Sequence, residues 1–155
     1  MEQQEIQSVV QAVLRRLFVE LEASGRHVHV TQQQAQILFG HSLTPKRPLS
    51  QPGQYLANER VTVVGPKGEF QNVAVLGPER PEAQVEISLT DSRVLGVTPP
   101  VRPSGSVENS PGAVLIGPEG TVTLSRGVIA AQRHIHMTQE DAAAMGVKDK
   151  QIVRL

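Results

Sequence analysis

The apolar positions of residues 3–22 recur at the period of an α-helix and form a single stripe. The stripe consists of Ile6, Val9, Val10, Val13, Leu14, Leu17, Phe18 and Leu21. Ser24-Gly25 follows, and Gly readily adopts the left-handed conformation that ends a helix. We therefore expect residues 1–24 to form an N-terminal amphipathic helix. Its stripe either packs on this protein's own body or a second copy, or docks as a peptide into a partner's groove.

From residue 26 onward, short runs of alternating polarity and Gly-Pro turns replace the helical period. Two pairs of runs predict hairpins: Arg60–Val64 with Gln71–Leu76 around Gly65-Pro66-Lys67-Gly68, and Gly112–Ile116 with Thr121–Leu124 around Gly117-Pro118-Glu119-Gly120. Val85, Ile87 and Leu89 alternate with polar residues and predict a strand with one apolar face. Residues 98–112, rich in Pro and Gly, predict a loop. The body is therefore expected to be mainly β and barrel-like.

An internal repeat lies within this body. Arg26-His27-Val28-His29-Val30-Thr31 reappears as Arg133-His134-Ile135-His136-Met137-Thr138. In each copy the R-H-x-H run predicts a strand that leads into a Thr able to cap a short helix. Gln34 completes a capping-box pattern after Thr31, and Asp141 takes the same place after Thr138. The repeat predicts two pseudo-equivalent lobes.

Composition narrows the class of function. The 155 residues suit one compact domain or two small domains that share a core, and 15 Lys+Arg balance 15 Asp+Glu. With no basic surplus and only 3% aromatic residues, nucleic acid is not an expected partner. No apolar run approaches a membrane span, and the polar, acidic start differs from a secretory signal, whereas the lack of Cys fits a cytosolic protein. The absence of Cys excludes disulfides, thiolate metal ligands and a Cys nucleophile.

Four of the five His lie in the two R-H-x-H runs. Residues two apart on a strand share a face, so His27 with His29, and His134 with His136, can each direct two imidazoles at one metal ion. One such pair is weak evidence of a metal site, whereas two copies in the same context favour one. His41 lacks a partner in the sequence and is expected in a loop.

Each His pair is one ligand short of the three that catalytic zinc usually takes. Without Cys, the missing ligands must be carboxylates or further His. Glu86 is a candidate because it alternates with the apolar face of its predicted strand. That pattern alone favours the simpler interpretation, an exposed strand Glu.

Longer motifs resemble those of a known family, in order, from about residue 26 to residue 155. They are Arg26-His27-Val28-His29, Leu49-Ser50-Gln51-Pro52-Gly53-Gln54, Val75-Leu76-Gly77-Pro78-Glu79-Arg80, Gln84-Val85-Glu86-Ile87-Ser88, Pro99-Pro100-Val101-Arg102 and Arg133-His134-Ile135-His136-Met137. The family is that of the PduL-type phosphate propanoyltransferases, the phosphotransacylases of bacterial microcompartments and their relatives.

This resemblance implies the interconversion of acyl-CoA plus phosphate with acyl phosphate plus CoA. It implies two small antiparallel β-barrels capped by short helices, formed here by residues 25–155, with two zinc ions between them. The implied ligands of the first zinc, which meets the CoA sulfur, are His27, His29 and Glu86, and those of the second are His134 and His136. Arg80 is implied in phosphate binding. Further candidates for binding the anionic substrates are Arg26, Arg102 and Arg133.

The resemblance also sets expectations for the ends of the chain and for its partners. Family members continue for several strands beyond the second H-x-H unit and supply another His to the second zinc. One barrel is therefore expected to be incomplete here and the second zinc to have two protein ligands. The implied setting is the bacterial cytoplasm or a microcompartment within it, with shell proteins and a homo-oligomer as partners and no membrane.

Two other classes of function remain open from the sequence. One is a zinc hydrolase of acyl phosphates or thioesters, in which water replaces the CoA thiol. The other is a non-catalytic microcompartment component, retained for the contacts of its N-terminal helix and its barrel.

Overall fold

The computed structural model describes residues 3–18 and 25–154, and of residues 15–17 it describes the backbone alone. The chain divides into two compact units. One unit consists of residues 24–134 and contains the β-sheet. The other consists of residues 1–23 and 135–155 and contains the first and last of the described helices.

Within the described residues, the larger unit contains nine strands that form one curled sheet. The strands are β1 (His27–His29), β2 (Pro45–Pro48), β3 (Tyr55–Val64), β4 (Glu69–Gly77), β5 (Gln84–Glu86), β6 (Val101–Arg102), β7 (Ala113–Ile116), β8 (Thr121–Leu124) and β9 (Val128–Ala131). Their order is β6-β9-β5-β1-β4-β3-β7-β8, and β2 pairs with β3 beside this path. Both predicted hairpins are confirmed, as the antiparallel pairs β3–β4 and β7–β8.

The mainly β prediction is confirmed, but two antiparallel barrels are not. β1 lies between β4 and β5, parallel to β4 and antiparallel to β5. β9 is parallel to both of its neighbours, β5 and β6. Parallel neighbours require a long crossover, and between β1 and β4 the chain provides one that contains a helix and two strands. The described strands thus form one mixed sheet.

β5 is shorter and more buried than its alternating pattern predicts. It ends at Glu86, and Leu89, which was expected to continue it, is 57% exposed. All three residues of β5 are buried, so both of its faces are covered, while β1 and β9 pair with its two edges. Alternation is lost when both faces of a strand are covered. The expectation of an exposed Glu86 is therefore wrong.

Short helices cover the sheet of the larger unit. These are α2 (Gln32–Phe39) and α3 (Asp91–Leu95). α2 begins with the predicted capping box between Thr31 and Gln34, and ends at Gly40 in the left-handed conformation. Its buried face joins an aliphatic core with the central strands, at Val28, Val30, Ala35, Leu38, Val61, Val63, Val75 and Val85. This packing fixes the end of β1 relative to the first turn of α2.

The hairpin turns lie directly against helix ends. At Gly117, a Cβ would lie 2.3 Å from the Leu38 carbonyl oxygen, so only a residue without a side chain fits. The neighbouring Glu119 amide donates a hydrogen bond to that oxygen at 3.0 Å. Gly65 makes the same approach to the Leu95 carbonyl of α3, also at 2.3 Å. The turns thereby satisfy carbonyls that a helix end leaves without partners.

The smaller unit contains α1 (Gln3–Leu17) and α4 (Gln139–Ala144). α1 lies within the range predicted for the N-terminal amphipathic helix, whose amphipathic character stays a prediction, and residues 19–24 lie outside the described residues. Five apolar side chains of the predicted stripe are between 42% and 57% exposed: Ile6, Val9, Val10, Val13 and Leu14. α4 begins after Thr138, which caps the Asp141 amide as the repeat predicts.

The second R-H-x-H copy does not form the expected strand. Residues 132–138 have no regular secondary structure. The first copy is a strand because β4 and β5 bond it on both sides, whereas no described strand pairs with residues 133–137. No described helix is both long enough and apolar enough to span a membrane.

Candidate metal centre

The pairing of β1 with β5 brings the first two His together with Glu86. In the antiparallel register His27 lies opposite Glu86, and His29 lies opposite Gln84. Directly opposed residues have their Cβ atoms about 4.5–5.5 Å apart, and residues two apart share a face. His27, His29 and Glu86 therefore converge on one side of the sheet.

The three side chains have the spacing of a metal-binding group. One potential ligand atom from each lies within 4.8 Å of the others. Nε2 of His27 is 3.5 Å from Oε1 of Glu86, and the two imidazole rings are perpendicular, with centroids 5.2 Å apart. All three residues are buried. Within residues 3–18 and 25–154, no other group of three or more His, Cys, Asp or Glu has this spacing.

The hydrogen bonding of His27 leaves one ring nitrogen for the group. Its Nδ1 lies 2.9 Å from the Gly25 carbonyl oxygen, which can only accept, so Nδ1 carries a proton and donates. Nε2 is the nitrogen that faces Glu86. In metal sites a ligating His typically donates its other N–H to a carbonyl or carboxylate, and His27 has this arrangement.

His29 is held in its neutral form. Its burial, followed by the positive charges of Arg80 and His27, lowers the pKa of His29 to about 3. Its Nδ1 is buried and has no hydrogen-bond partner among the described residues. Because buried polar atoms are rarely left unpaired, this nitrogen calls for a ligand. A neutral imidazole is the form that binds a metal ion.

Glu86 supplies a negative charge. Burial alone would raise its pKa, but the hydrogen bond and charge of His27, the hydrogen bond from Ser104 and the charge of His29 together lower the pKa of Glu86 to about 2. The carboxylate is therefore ionised at neutral pH. Two imidazoles and one carboxylate form a donor set that zinc accepts, with a fourth position open. The residues present thus fit the implied metal.

Arg80 connects this group to an open cleft. Its backbone amide donates to the Val30 carbonyl at 2.9 Å, and its Nη1 donates to Ser104 Oγ at 3.2 Å. Ser104 in turn donates to Oε1 of Glu86 at 2.8 Å. Arg80 also lines a cleft of about 710 Å³, whose other lining residues are Thr31, Gln32, Gln33, Ser42, Glu79 and Pro81. One hydroxyl thus separates the guanidinium from the carboxylate.

The structure adds two polar residues that the sequence did not single out, Gln84 and Ser104. Gln84 donates to both Glu86 and Ser104. Its position two residues before Glu86 on one strand was a signal that it shares that residue's face. Ser104 lies in the Pro- and Gly-rich segment, where no local pattern distinguishes it.

The other candidate cations lie in different surroundings. Arg26 forms an ion pair with Asp91 at 2.9 Å, and its guanidinium lies 4.0 Å from the centre of the Phe70 ring. Arg102 donates a short hydrogen bond to the Glu108 backbone carbonyl. Arg133 is exposed. Their assignment to substrate binding stays a prediction.

The remaining His are all exposed. His134 and His136 are not part of the described three-residue group. The Nδ1 of His134 lies 2.6 Å from the Gln132 carbonyl oxygen. His41 follows the end of α2 in a loop, as expected, with its Nδ1 2.8 Å from the Ser42 carbonyl oxygen.

Comparison with known proteins places the chain in a family. Residues 20–155 match the model of the PTAC family, phosphate propanoyltransferase. A phosphate propanoyltransferase of Enterococcus faecalis is 52% identical over 155 residues, which cover 95% of this chain and 74% of that protein. One of Thermotoga maritima is 51% identical over 152 residues, covering 97% and 72%. The chain belongs to the phosphate propanoyltransferase family.

The geometry of the group predicts which His holds a metal ion. His29→Ala should lower the zinc bound per chain by about one equivalent relative to the unaltered protein, because two ligands bind zinc less tightly than three. Elemental analysis after equilibration with limiting zinc measures this. His41→Ala is the matched control and should keep the full zinc content. Full zinc in a folded His29→Ala protein would contradict the assignment.

Proposed function

We propose that this chain is a zinc-dependent phosphate acyltransferase that interconverts acyl-CoA plus phosphate with acyl phosphate plus CoA. The observation that carries the proposal is the close approach of the Arg80 guanidinium to the His27, His29 and Glu86 group through Ser104. The relatives are named phosphate propanoyltransferases, which supports phosphate and a short acyl group as substrates.

His27, His29 and Glu86 would hold the zinc ion. When bound, zinc supplies a Lewis acid that favours the thiolate form of a thiol at neutral pH. The three residues leave one position open and bury the site, which limits access of water. The ionised Glu86 offsets part of the charge of the metal.

Arg80 is proposed to bind the phosphate group. Its planar guanidinium matches two phosphate oxygens and stays charged at neutral pH. The side chain lies at the boundary between the buried group and the cleft of about 710 Å³, so a phosphate there would be close to both. The first turn of α2 also lines this cleft and adds the positive end of a helix dipole.

In the direction of acyl-CoA synthesis, the sulfur of CoA forms a bond to the carbonyl carbon of the acyl phosphate. The bond between that carbon and the phosphate oxygen breaks, and phosphate leaves with the electron pair. The fixed positive charge of Arg80 stabilises the charge that develops on the leaving phosphate. The chain has no Cys, and the proposal includes no acyl-enzyme.

Three finer expectations stay predictions: a second zinc at His134 and His136, a homo-oligomer, and residence in a microcompartment. The half-exposed apolar side chains of α1 would suit docking to a shell protein. The acyl transfer proposed for the larger unit does not depend on these three expectations.

An assay with acyl phosphate separates the three classes of function. With propanoyl phosphate and CoA, we expect phosphate release and thioester formation in equal amounts, both dependent on added zinc. Thioester absorbance and a phosphate assay measure the two products. Phosphate release without CoA would instead identify a hydrolase. A folded, zinc-loaded protein that releases neither product would be a non-catalytic member.

The Arg80 side chain should act on phosphate rather than on CoA. Loss of a charge-assisted contact in Arg80→Ala costs on the order of 1.5–3 kcal/mol, or roughly a ten- to hundred-fold rise in the KM for phosphate. Steady-state kinetics with propanoyl-CoA and phosphate measure it. Arg93→Ala, on the exposed face of α3, is the control and should change neither KM. An unchanged KM for phosphate in Arg80→Ala would move the anion site to another Arg.

A further inference from the structure

Gln84 is a polar neighbour of the proposed zinc ligands and is as deeply buried as His29. It is 1% exposed, so its polar atoms have almost no contact with solvent. An amide is costly to bury unless its donors and acceptor are paired. Its position follows from the strand register: Gln84 lies opposite His29, as Glu86 lies opposite His27. The four side chains share one face of two adjacent strands.

Each end of the Gln84 amide has defined partners. Its Nε2 donates to Oε1 of Glu86 at 2.5 Å and to Ser104 Oγ at 2.9 Å. Its Oε1 accepts from the Gly105 backbone amide at 2.6 Å. Because a backbone N–H can only donate, this last bond fixes which end of the amide faces Gly105. The amino group is thereby directed at the carboxylate.

We infer that Gln84 is a positioning residue that holds the Glu86 carboxylate in place as a metal ligand. The inference rests on the proposed zinc site. Two donors, the Gln84 amino group and the Ser104 hydroxyl, converge on one oxygen of Glu86 and restrict rotation of the carboxylate. Ligating carboxylates are commonly oriented in this way by hydrogen bonds from outside the ligand set, and loss of such a partner typically weakens metal affinity 10- to 100-fold.

The chemistry of the position favours an amide over a carboxylate. A Glu at residue 84 would place a second negative charge beside Glu86. It would also remove the amino group that donates a hydrogen bond to Glu86. An apolar residue of the same size would fill the space and offer no donor. Gln84 provides a neutral donor at this point and leaves the charge of the site to Glu86.

The test compares zinc affinity in Gln84→Met with that of the unaltered protein, by competition with a chromophoric chelator. Met preserves the volume and removes both donors, so packing is retained. We expect an approximately 10- to 100-fold weaker affinity at the first site, together with a changed visible spectrum of the cobalt-substituted protein. A purely structural role would change neither in a folded variant.

A matched control exists at the exposed beginning of β4. Gln71 donates to Glu69, two residues before it on β4, at 2.7 Å. Gln71→Met removes the same type of Gln–Glu contact away from the site and should leave zinc affinity unchanged. Should Gln84→Met fail to fold, Gln84→Asn provides a second variant. It keeps an amide, but its side chain is one methylene too short to reach both Gly105 and Glu86, so the same weakening of zinc affinity is expected.

The outcomes separate this inference from the proposed function. Unaltered zinc affinity and an unaltered cobalt spectrum in a folded Gln84 variant, with normal zinc binding by the parent protein, would overturn the role of Gln84 alone. A parent protein that binds no zinc at His27, His29 and Glu86 would overturn the zinc site and, with it, this inference. Weakened affinity in the Gln84 variant beside a normal Gln71 control supports both.

Discussion

The candidate site depends on one piece of strand pairing, the antiparallel register of β1 against β5. This register sets His27 opposite Glu86, although the two are far apart in sequence. A shift by one residue would turn the side chains of one strand to the other face of the sheet and separate the group. The core residues Val28, Val75 and Val85 fix the register, because each is fully buried in the central strands. Packing of the aliphatic core thus determines the position of the ligands.

The same burial that fixes the ligands also sets their charge states. His29 is kept neutral by burial and by Arg80, while Glu86 is kept ionised by donors that outweigh its desolvation. An unpaired neutral imidazole nitrogen and a buried anion are unfavourable as isolated groups. A divalent cation would satisfy both at once. The charges and burial of these groups therefore suit a positive ligand, and the proposed phosphate contact of Arg80 lies one hydroxyl away from them.

The sequence predicted local features well and long-range ones poorly. The two hairpins, the capping box at Thr31 and the cap at Thr138 follow from residues close together in sequence, and all are confirmed. His27 and His29 could be paired because they share one strand. Glu86 was a candidate from its strand pattern, but that pattern favoured an exposed residue, and only the family resemblance implied it as a ligand. Its burial follows from the central place of β5 in the sheet and from the covering of both of its faces, which no local pattern specifies.

The second R-H-x-H copy illustrates the same limit. Its letters nearly repeat those of β1, yet residues 133–137 are not a strand, because strand formation needs a neighbour as well as a suitable sequence. The roles of Gln84 and Ser104 likewise depend on what the fold places beside them, although the spacing of Gln84 from Glu86 already indicated a shared face.

The most direct test of the central claim is a crystal structure of the zinc-loaded protein with anomalous diffraction recorded on both sides of the zinc absorption edge. The account predicts an anomalous peak about 2.0–2.2 Å from one nitrogen each of His27 and His29 and one oxygen of Glu86. Zinc peaks found only elsewhere in the molecule, with none beside these three side chains, would contradict it.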